Sequence, residues 1–192
     1  NTWVHMNDKE KATEKAKDLV RMAVAKAALI EPLQQIALGV KDSLLVVGGG
    51  VAGMEAALGA AEQGFRTDLV EKEAELGGVA LKLRSTWRGE SVSDYVRDLI
   101  GKVQEHPLIT VHLETRVRDT SGIVGNFATT LGRSDGTGAG TVIEHGATIL
   151  ATGGHEFKPG EYLYGKHPGV LTHLDLDQAI TCLLYTSDAA DE

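Results

Sequence analysis

The chain has 192 residues, of which 42% are hydrophobic and 24% charged, and its formal net charge is −8. That length carries one domain with a core of its own, and the acidic balance excludes unassisted binding to nucleic acid or to an anionic membrane surface. No segment approaches a transmembrane length, no signal-peptide layout is visible, and a single cysteine, Cys182, excludes a disulfide framework.

The first predicted element is a long helix. Asn7 or Asp8 can cap it, and Pro32 disturbs its end. Ala12, Ala16, Leu19, Ala23 and Ala27 recur at helical spacing, and Val20, Val24 and Ala28 widen the stripe. Lys11, Lys15, Lys17, Arg21 and Lys26 add positive charge. Such a helix serves either as a docking or linker element or as a cover for its own sheet. Residues 1–42 are assigned to it as an N-terminal helix and linker.

The most informative stretch follows. Leu44 to Val47 form an apolar strand that runs straight into Gly48-Gly49-Gly50-Val51-Ala52-Gly53, a G-x-G-x-x-G. A small-residue helix, Val51 to Gln63, comes next, with Gly64 as its stop. A second strand, Arg66 to Glu71, ends in acid 18 residues beyond Gly53. This is the dinucleotide-binding fingerprint in the strand–turn–helix setting that gives it meaning. Gly48 makes the sharp turn, Gly50 leaves room for a pyrophosphate, and Gly53 lets helix and strand lie close. The N–H groups of Val51 and Ala52 open the helix, where unpaired donors and a partial positive charge favour phosphate. Glu71 is placed to accept both ribose hydroxyls of an adenosine, and Lys72 to flank the adenine.

Two further signals choose the dinucleotide. Gly77-Gly78 follows Glu71 closely, and Ala147 to Ala151 forms a short apolar strand ending in Thr152-Gly153-Gly154. A nicotinamide dinucleotide needs neither. An extended flavin dinucleotide needs glycines where backbone passes the ribityl–pyrophosphate region, and a small turn such as Thr152-Gly153 to close the site. FAD is therefore the expected cofactor. Between these signals lie an amphipathic helix, Val92 to Glu105, capped by Ser91 or Ser93, and a third strand, Leu108 to Leu113. Short β runs near Thr115 to Val117, Ile123 to Leu131 and Thr141 to His145 read as an antiparallel meander. The fold class is α/β: an FAD-type Rossmann domain over 43–154, with parallel sheet and antiparallel β-meander, preceded by the long helix.

Residues 155–181 read as the start of a following segment, in which Thr172 caps a helix that has barely begun. The last eleven residues, Cys182 to Glu192, can be encoded by a transposase-based sequencing adapter read in frame, and 182–192 is read as an adapter-derived tail. The histidines at 5, 106, 112, 145, 155, 167 and 173 are read mostly as surface or loop residues. No Cys/His set has metal-ligand spacing, so no metal site is expected. No catalytic acid, base or redox cysteine is assigned. Lys82, Arg84 and Arg88 could approach flavin or phosphate, though solvated charge explains them as well.

Three stretches together resemble the A subunit of heterodisulfide reductase, an iron–sulfur flavoprotein family of methanogens and anaerobic bacteria. They are Lys9 to Ile30 (KEKATEKAKDLVRMAVAKAALI), the glycine loop from Val46 to Gly78, and Ala151 to Leu176 (ATGGHEFKPGEYLYGKHPGVLTHLDL). The resemblance implies an FAD-dependent oxidoreductase, cytoplasmic, working with other subunits of a heterodisulfide reductase-like complex. It also implies flavin-based electron bifurcation as one mode of action, with a two-electron donor split between a disulfide and a low-potential carrier. Iron–sulfur clusters are expected in the full-length family member. They are not expected on this chain, because Val79 to Arg88 holds no cysteine and a thiolate-ligated cluster takes four in the usual case. Two rival readings stand beside this one: a pyridine-nucleotide-dependent flavoprotein reductase fragment, which needs a second Rossmann motif, and a non-catalytic assembly module.

Overall fold

In the computed structural model, residues 7–33, 37–138 and 140–188 are described; His5, Ala139 and the last four residues of the tail lie outside them. The chain divides into two compact units, 1–37 and 38–192. In the first, α1 (Lys9–Ala28) begins where Asp8 accepts the Lys11 N–H at 3.1 Å. Lys11, Lys17 and Arg21 each pair with an acid one turn earlier, so much of the expected positive charge is balanced on the helix surface. From Val20 onward the apolar stripe is open to solvent, with Val20 and Val24 both 63% exposed.

The second unit is built on alternation of buried side chains. β1 (Ser43–Val47), β2 (Arg66–Val70), β3 (Ile109–His112) and β7 (Ala147–Leu150) form a four-stranded parallel sheet in the order β3-β2-β1-β7. Leu44, Val46 and Leu69 project from one face onto α2 (Val51–Glu62) and α3 (Val92–Glu105), where they meet Met54, Ala57, Leu58, Leu99 and Val103. Leu45 and Val70 project from the other face onto Leu131 and Ile143. Those two belong to an antiparallel sheet of β4 (Thr115–Ile123), β5 (Asn126–Arg133) and β6 (Thr141–His145). Each fully buried Leu or Val contributes about 1.5–3 kcal/mol, so helices, parallel sheet and meander form three layers with a core on each side of the sheet. α3 starts at Val92 because the Ser91 hydroxyl accepts the Asp94 N–H.

Two expectations are corrected. The apolar run Ile123 to Leu131 is not one strand. A hairpin turn falls inside it at Val124-Gly125, where Gly125 takes φ +85°, and the first strand of the pair is Thr115–Ile123. His145 is no surface residue. It is fully buried, stacked on Phe127, with Nε2 2.8 Å from the Thr129 hydroxyl and Nδ1 donating to the Ala147 carbonyl at 3.0 Å. That carbonyl can only accept, which fixes a proton on Nδ1. The helix expected after Thr172 is present. α4 runs from His173 to Asp188, through the boundary at which the tail was set. Thr172 does cap it: its hydroxyl accepts the Asp175 N–H, and Asp175 accepts the Thr172 N–H in return.

Candidate functional site

Site geometry starts at the end of β1. Gly48 takes φ +113° and donates its N–H to the Val70 carbonyl at 2.8 Å. A Cβ there would run into the Ala151 carbonyl, because β7 lies alongside and Ala151 donates back to the Val47 carbonyl. At Gly53 a Cβ would sit on the Gly48 carbonyl oxygen, which is the close helix–strand approach expected of the third glycine. Gly50 differs in kind. Its φ of −74° suits any residue, and a Cβ there would meet nothing within 4 Å. Fold alone does not demand glycine at 50; open space in front of it does suit a ligand that approaches the backbone. Within α2 the Met54 N–H is the one that closes onto Gly50. The N–H groups of Val51, Ala52 and Gly53 come before it, in the first turn whose donors lack intrahelical acceptors.

Gly77 and Gly78 arrive directly against this loop. Gly77 pairs with Gly50 in an isolated parallel bridge and donates its N–H to the Gly49 carbonyl at 2.8 Å. Both take positive φ, +117° and +57°, and a Cβ on Gly78 would come within 3.3 Å of the Gly50 Cα. The two glycine motifs are thus one cradle. Gly49, the unassigned middle residue of the first motif, is its buried joint. A Cβ there would lie 2.5 Å from Leu76 Cδ2 and 2.9 Å from the Glu71 Cβ. A third consecutive glycine was the signal available for it.

Glu71 sits one residue past β2 and is buried, with 6% exposure. Its Oε2 accepts the Gly49 N–H at 2.6 Å and its Oε1 accepts the Glu73 N–H at 2.9 Å. The carboxylate therefore ties the end of β2 to the glycine loop, a role the sequence did not announce. Each oxygen keeps a second lone pair, so ribose hydroxyls would join these bonds rather than replace them. Next to it, the Lys72 ammonium lies 3.6 Å from Glu73, and the Lys72 carbonyl accepts the Ser134 hydroxyl. Thr152 and Gly153 are exposed beside the cradle, Gly153 at φ +65° with open space before it.

The basic residues downstream separate. Arg88 stacks over the Trp87 ring at 4.8 Å, the Arg84 N–H donates to Asp177, and Lys82 lines a cleft beside α4. Among the described residues no group of three His, Cys, Asp or Glu could hold a metal, and no helix is long and apolar enough to cross a membrane. FAD fits the residues present: a backbone cradle with open space at Gly50 and Gly153, helix N–H groups beyond it, and a carboxylate at the second strand's end.

Comparison with known proteins agrees with this geometry. The model of the pyridine nucleotide-disulphide oxidoreductase family matches residues 42–184. The second of the iron-sulfur A subunits of CoB–CoM heterodisulfide reductase in Methanopyrus kandleri is 47% identical over 127 residues, covering 66% of this chain and 19% of that protein. The A subunit of the H(2):CoB-CoM heterodisulfide,ferredoxin reductase of Methanothermobacter thermautotrophicus is 44% identical over 128 residues, again 66% and 19%. The chain thus spans about a fifth of the length of these curated relatives. Thioredoxin reductase of Lactococcus lactis superposes with a TM-score of 0.50 at 19% identity, over 65% of this chain and 41% of that one, which speaks to fold alone. The chain belongs to the pyridine nucleotide-disulphide oxidoreductase family, with A subunits of heterodisulfide reductases as its curated homologues.

Proposed function

We propose that this chain is the FAD-holding part of an oxidoreductase resembling the A subunit of heterodisulfide reductase. It passes electrons through flavin within a cytoplasmic, multi-subunit iron–sulfur complex, and bifurcation is the extension of that role. The observation that carries the reading is the contrast at the cradle. Gly48, Gly49 and Gly53 are required by protein contacts, while Gly50 faces open space where a pyrophosphate would lie. The names of the homologues support the wider assignment.

FAD, when bound, supplies the two-electron chemistry and can pass electrons on singly. The protein's part is binding and orientation. The N–H groups at Gly50, Val51 and Ala52 hold the pyrophosphate at the positive end of α2. Glu71 keeps Gly49 in place and accepts ribose hydroxyls on its remaining lone pairs. Gly77 and Gly78 let the chain cross close to the cofactor, and Thr152-Gly153 borders it on the β7 side. Lys72, next to Glu71, flanks the adenine.

The test is the purified chain itself. Released cofactor is identified by mass, and iron is assayed alongside. FAD without iron supports the reading; an absence of flavin even after incubation with FAD contradicts it. The family's description also names pyridine nucleotides, so bleaching of the bound flavin by NADH or NADPH alone would favour the reductase reading instead.

A further inference from the structure

Between the 3₁₀ turn Gly78–Lys82 and α3 the chain folds into a short hairpin held by hydrogen bonds at every level. Ser85 and Ser91 face each other in an isolated antiparallel bridge, and the Val92 N–H donates to the Arg84 carbonyl at 2.9 Å. Inside the bridge the Thr86 N–H donates to the Glu90 carbonyl and the Gly89 N–H to the Thr86 carbonyl, both at 2.9 Å. Gly89 takes φ +82°, which closes the turn. The Thr86 hydroxyl accepts the Arg88 and Glu90 N–H groups and donates to the Glu90 carboxylate at 2.9 Å. Ser91 then caps α3, whose Val96, Leu99 and Val103 are buried, so the hairpin is rooted in the core.

What this framework presents is Trp87 and Arg88. Trp87 is 87% exposed, more than any other aromatic among the described residues, although tryptophan is highly buried on average. The Arg88 guanidinium lies 4.8 Å from the centre of its ring. That contact covers one face of the indole and leaves the other open. The turn is ordered by Thr86, Gly89 and Glu90, so the indole and the guanidinium are held in place without being needed by the core.

Charge around the tip is one-sided. Residues 79–89 hold Lys82, Arg84 and Arg88 and no acid, on a chain of net charge −8. Lys82 and Arg84 share the cleft beside α4 with Glu156, Asp175 and Asp177. Arg88 has no carboxylate within 4 Å among the described residues, whereas Arg97 and Lys102 on α3 are both paired. The nearest acid in sequence, Glu90, is engaged by Thr86.

We propose that this hairpin is a docking finger for another protein chain, with Trp87 entering an apolar pocket and Arg88 pairing with a carboxylate at that pocket's edge. Trp and Arg are enriched among the side chains that carry binding energy at protein interfaces, and a guanidinium meets a carboxylate in two parallel hydrogen bonds. A turn already ordered gives up little freedom on binding. The unpaired cation selects the occupant: an acidic protein surface. The net charge of −8 works against nucleic acid and anionic membrane. No residue of the cradle enters this inference, so it stands apart from the FAD reading.

The test uses the whole chain. Random peptides displayed on phage are selected on the immobilised parent after depletion on the double variant Trp87→Ser, Arg88→Gln. Enriched peptides are expected to combine Asp or Glu with Leu, Ile or Phe. Synthesised and titrated by fluorescence anisotropy, they are expected to lose about tenfold or more in affinity in Trp87→Ser and in Arg88→Gln separately, and to regain part of it in Arg88→Lys. Thermal midpoints of the variants are expected to match the parent. No enrichment, enriched peptides without acidic residues, or equal binding to parent and variants overturns the proposal. A clear fall in the thermal midpoint of either single variant also overturns it, because the pair would then be structural. So does binding of the parent to phosphatidylglycerol vesicles that is lost in Trp87→Ser, which would make the finger a membrane anchor. Failure of the parent to bind FAD would sink the cofactor reading and leave this one standing.

Discussion

The glycine cradle and the cleft beside α4 are neighbours built by opposite means. The cradle is held by backbone: Gly48 to Val70, Gly77 to Gly49, Ala151 to Val47, with the buried Glu71 as its one side-chain tie. The cleft is held by side chains near the surface: Asp175 accepts from the Tyr164 hydroxyl, Asp177 from the Arg84 backbone N–H, and Lys158 pairs with Glu156. Backbone recognition allows little variation, because a substitution either collides or blocks the ligand. Exposed polar pairs contribute little each to stability, so they can change without loss of fold.

The sharpest break in that comparison lies within the cradle. Gly53→Val should cost the fold, because the side chain meets the Gly48 carbonyl; overpacking of this kind costs about 1–3 kcal/mol and occasionally more. Gly50→Val has no such collision, so its thermal midpoint should match the parent. Thermal melts followed by circular dichroism separate the two, and similar losses in both would dissolve the distinction between structural and ligand-facing glycines.

Glu71→Ala comes next. It leaves the N–H groups of Gly49 and Glu73 without their acceptor, at about 1–3 kcal/mol for each donor kept from water. The expected signature is a loss of stability even without nucleotide, visible in urea titration. A purely ribose-binding Glu71 would lower nucleotide affinity and leave the ligand-free melt untouched. Glu71→Gln keeps one acceptor and should lose less.

Smaller effects belong to the cleft side. Thr172→Ala removes the α4 cap, at about 1 kcal/mol, and should raise amide exchange over residues 172–176 without moving exchange at the cradle. Acid should do the same. Asp175 is held below the usual carboxylate range, first by the Tyr164 hydroxyl and then by the Thr172 N–H. Its contribution is present above the ordinary carboxylate pKa and lost as pH falls through the depressed value. Exchange at the start of α4 should therefore rise on acidification in the parent and be insensitive to it in Asp175→Asn. Smallest of all should be truncation after Thr181. If 182–192 is a foreign tail, flavin content and solubility stay as they were; loss of folded protein would show that the continuous α4 is needed as a whole.

What could be read in advance follows the same division. Gly48, Gly50 and Gly53 were legible because their spacing, the strand before them and the helix after them are local. The contact of Gly77 with Gly49 joins segments separated by a helix and a strand, and no local pattern reports it. β4 was read only over Thr115 to Val117, because its residues from Arg116 onward are all exposed and no alternation marks the rest; the hairpin at Val124-Gly125 was hidden by the apolar Ile123 and Val124. His145 looked like any strand-end histidine. Its partners, Thr129 and Ala147, come from neighbouring strands, and only the stacked sheets make it a core residue.

The central claim is that the cradle binds FAD through the open backbone at Gly50. Titration of FAD into flavin-free parent and Gly50→Val, followed by flavin fluorescence with melts of both proteins in parallel, tests it most directly. The account predicts saturable binding by the parent and none by Gly50→Val, at matching thermal midpoints. Equal affinity in the two proteins, or no binding by the parent, would contradict it.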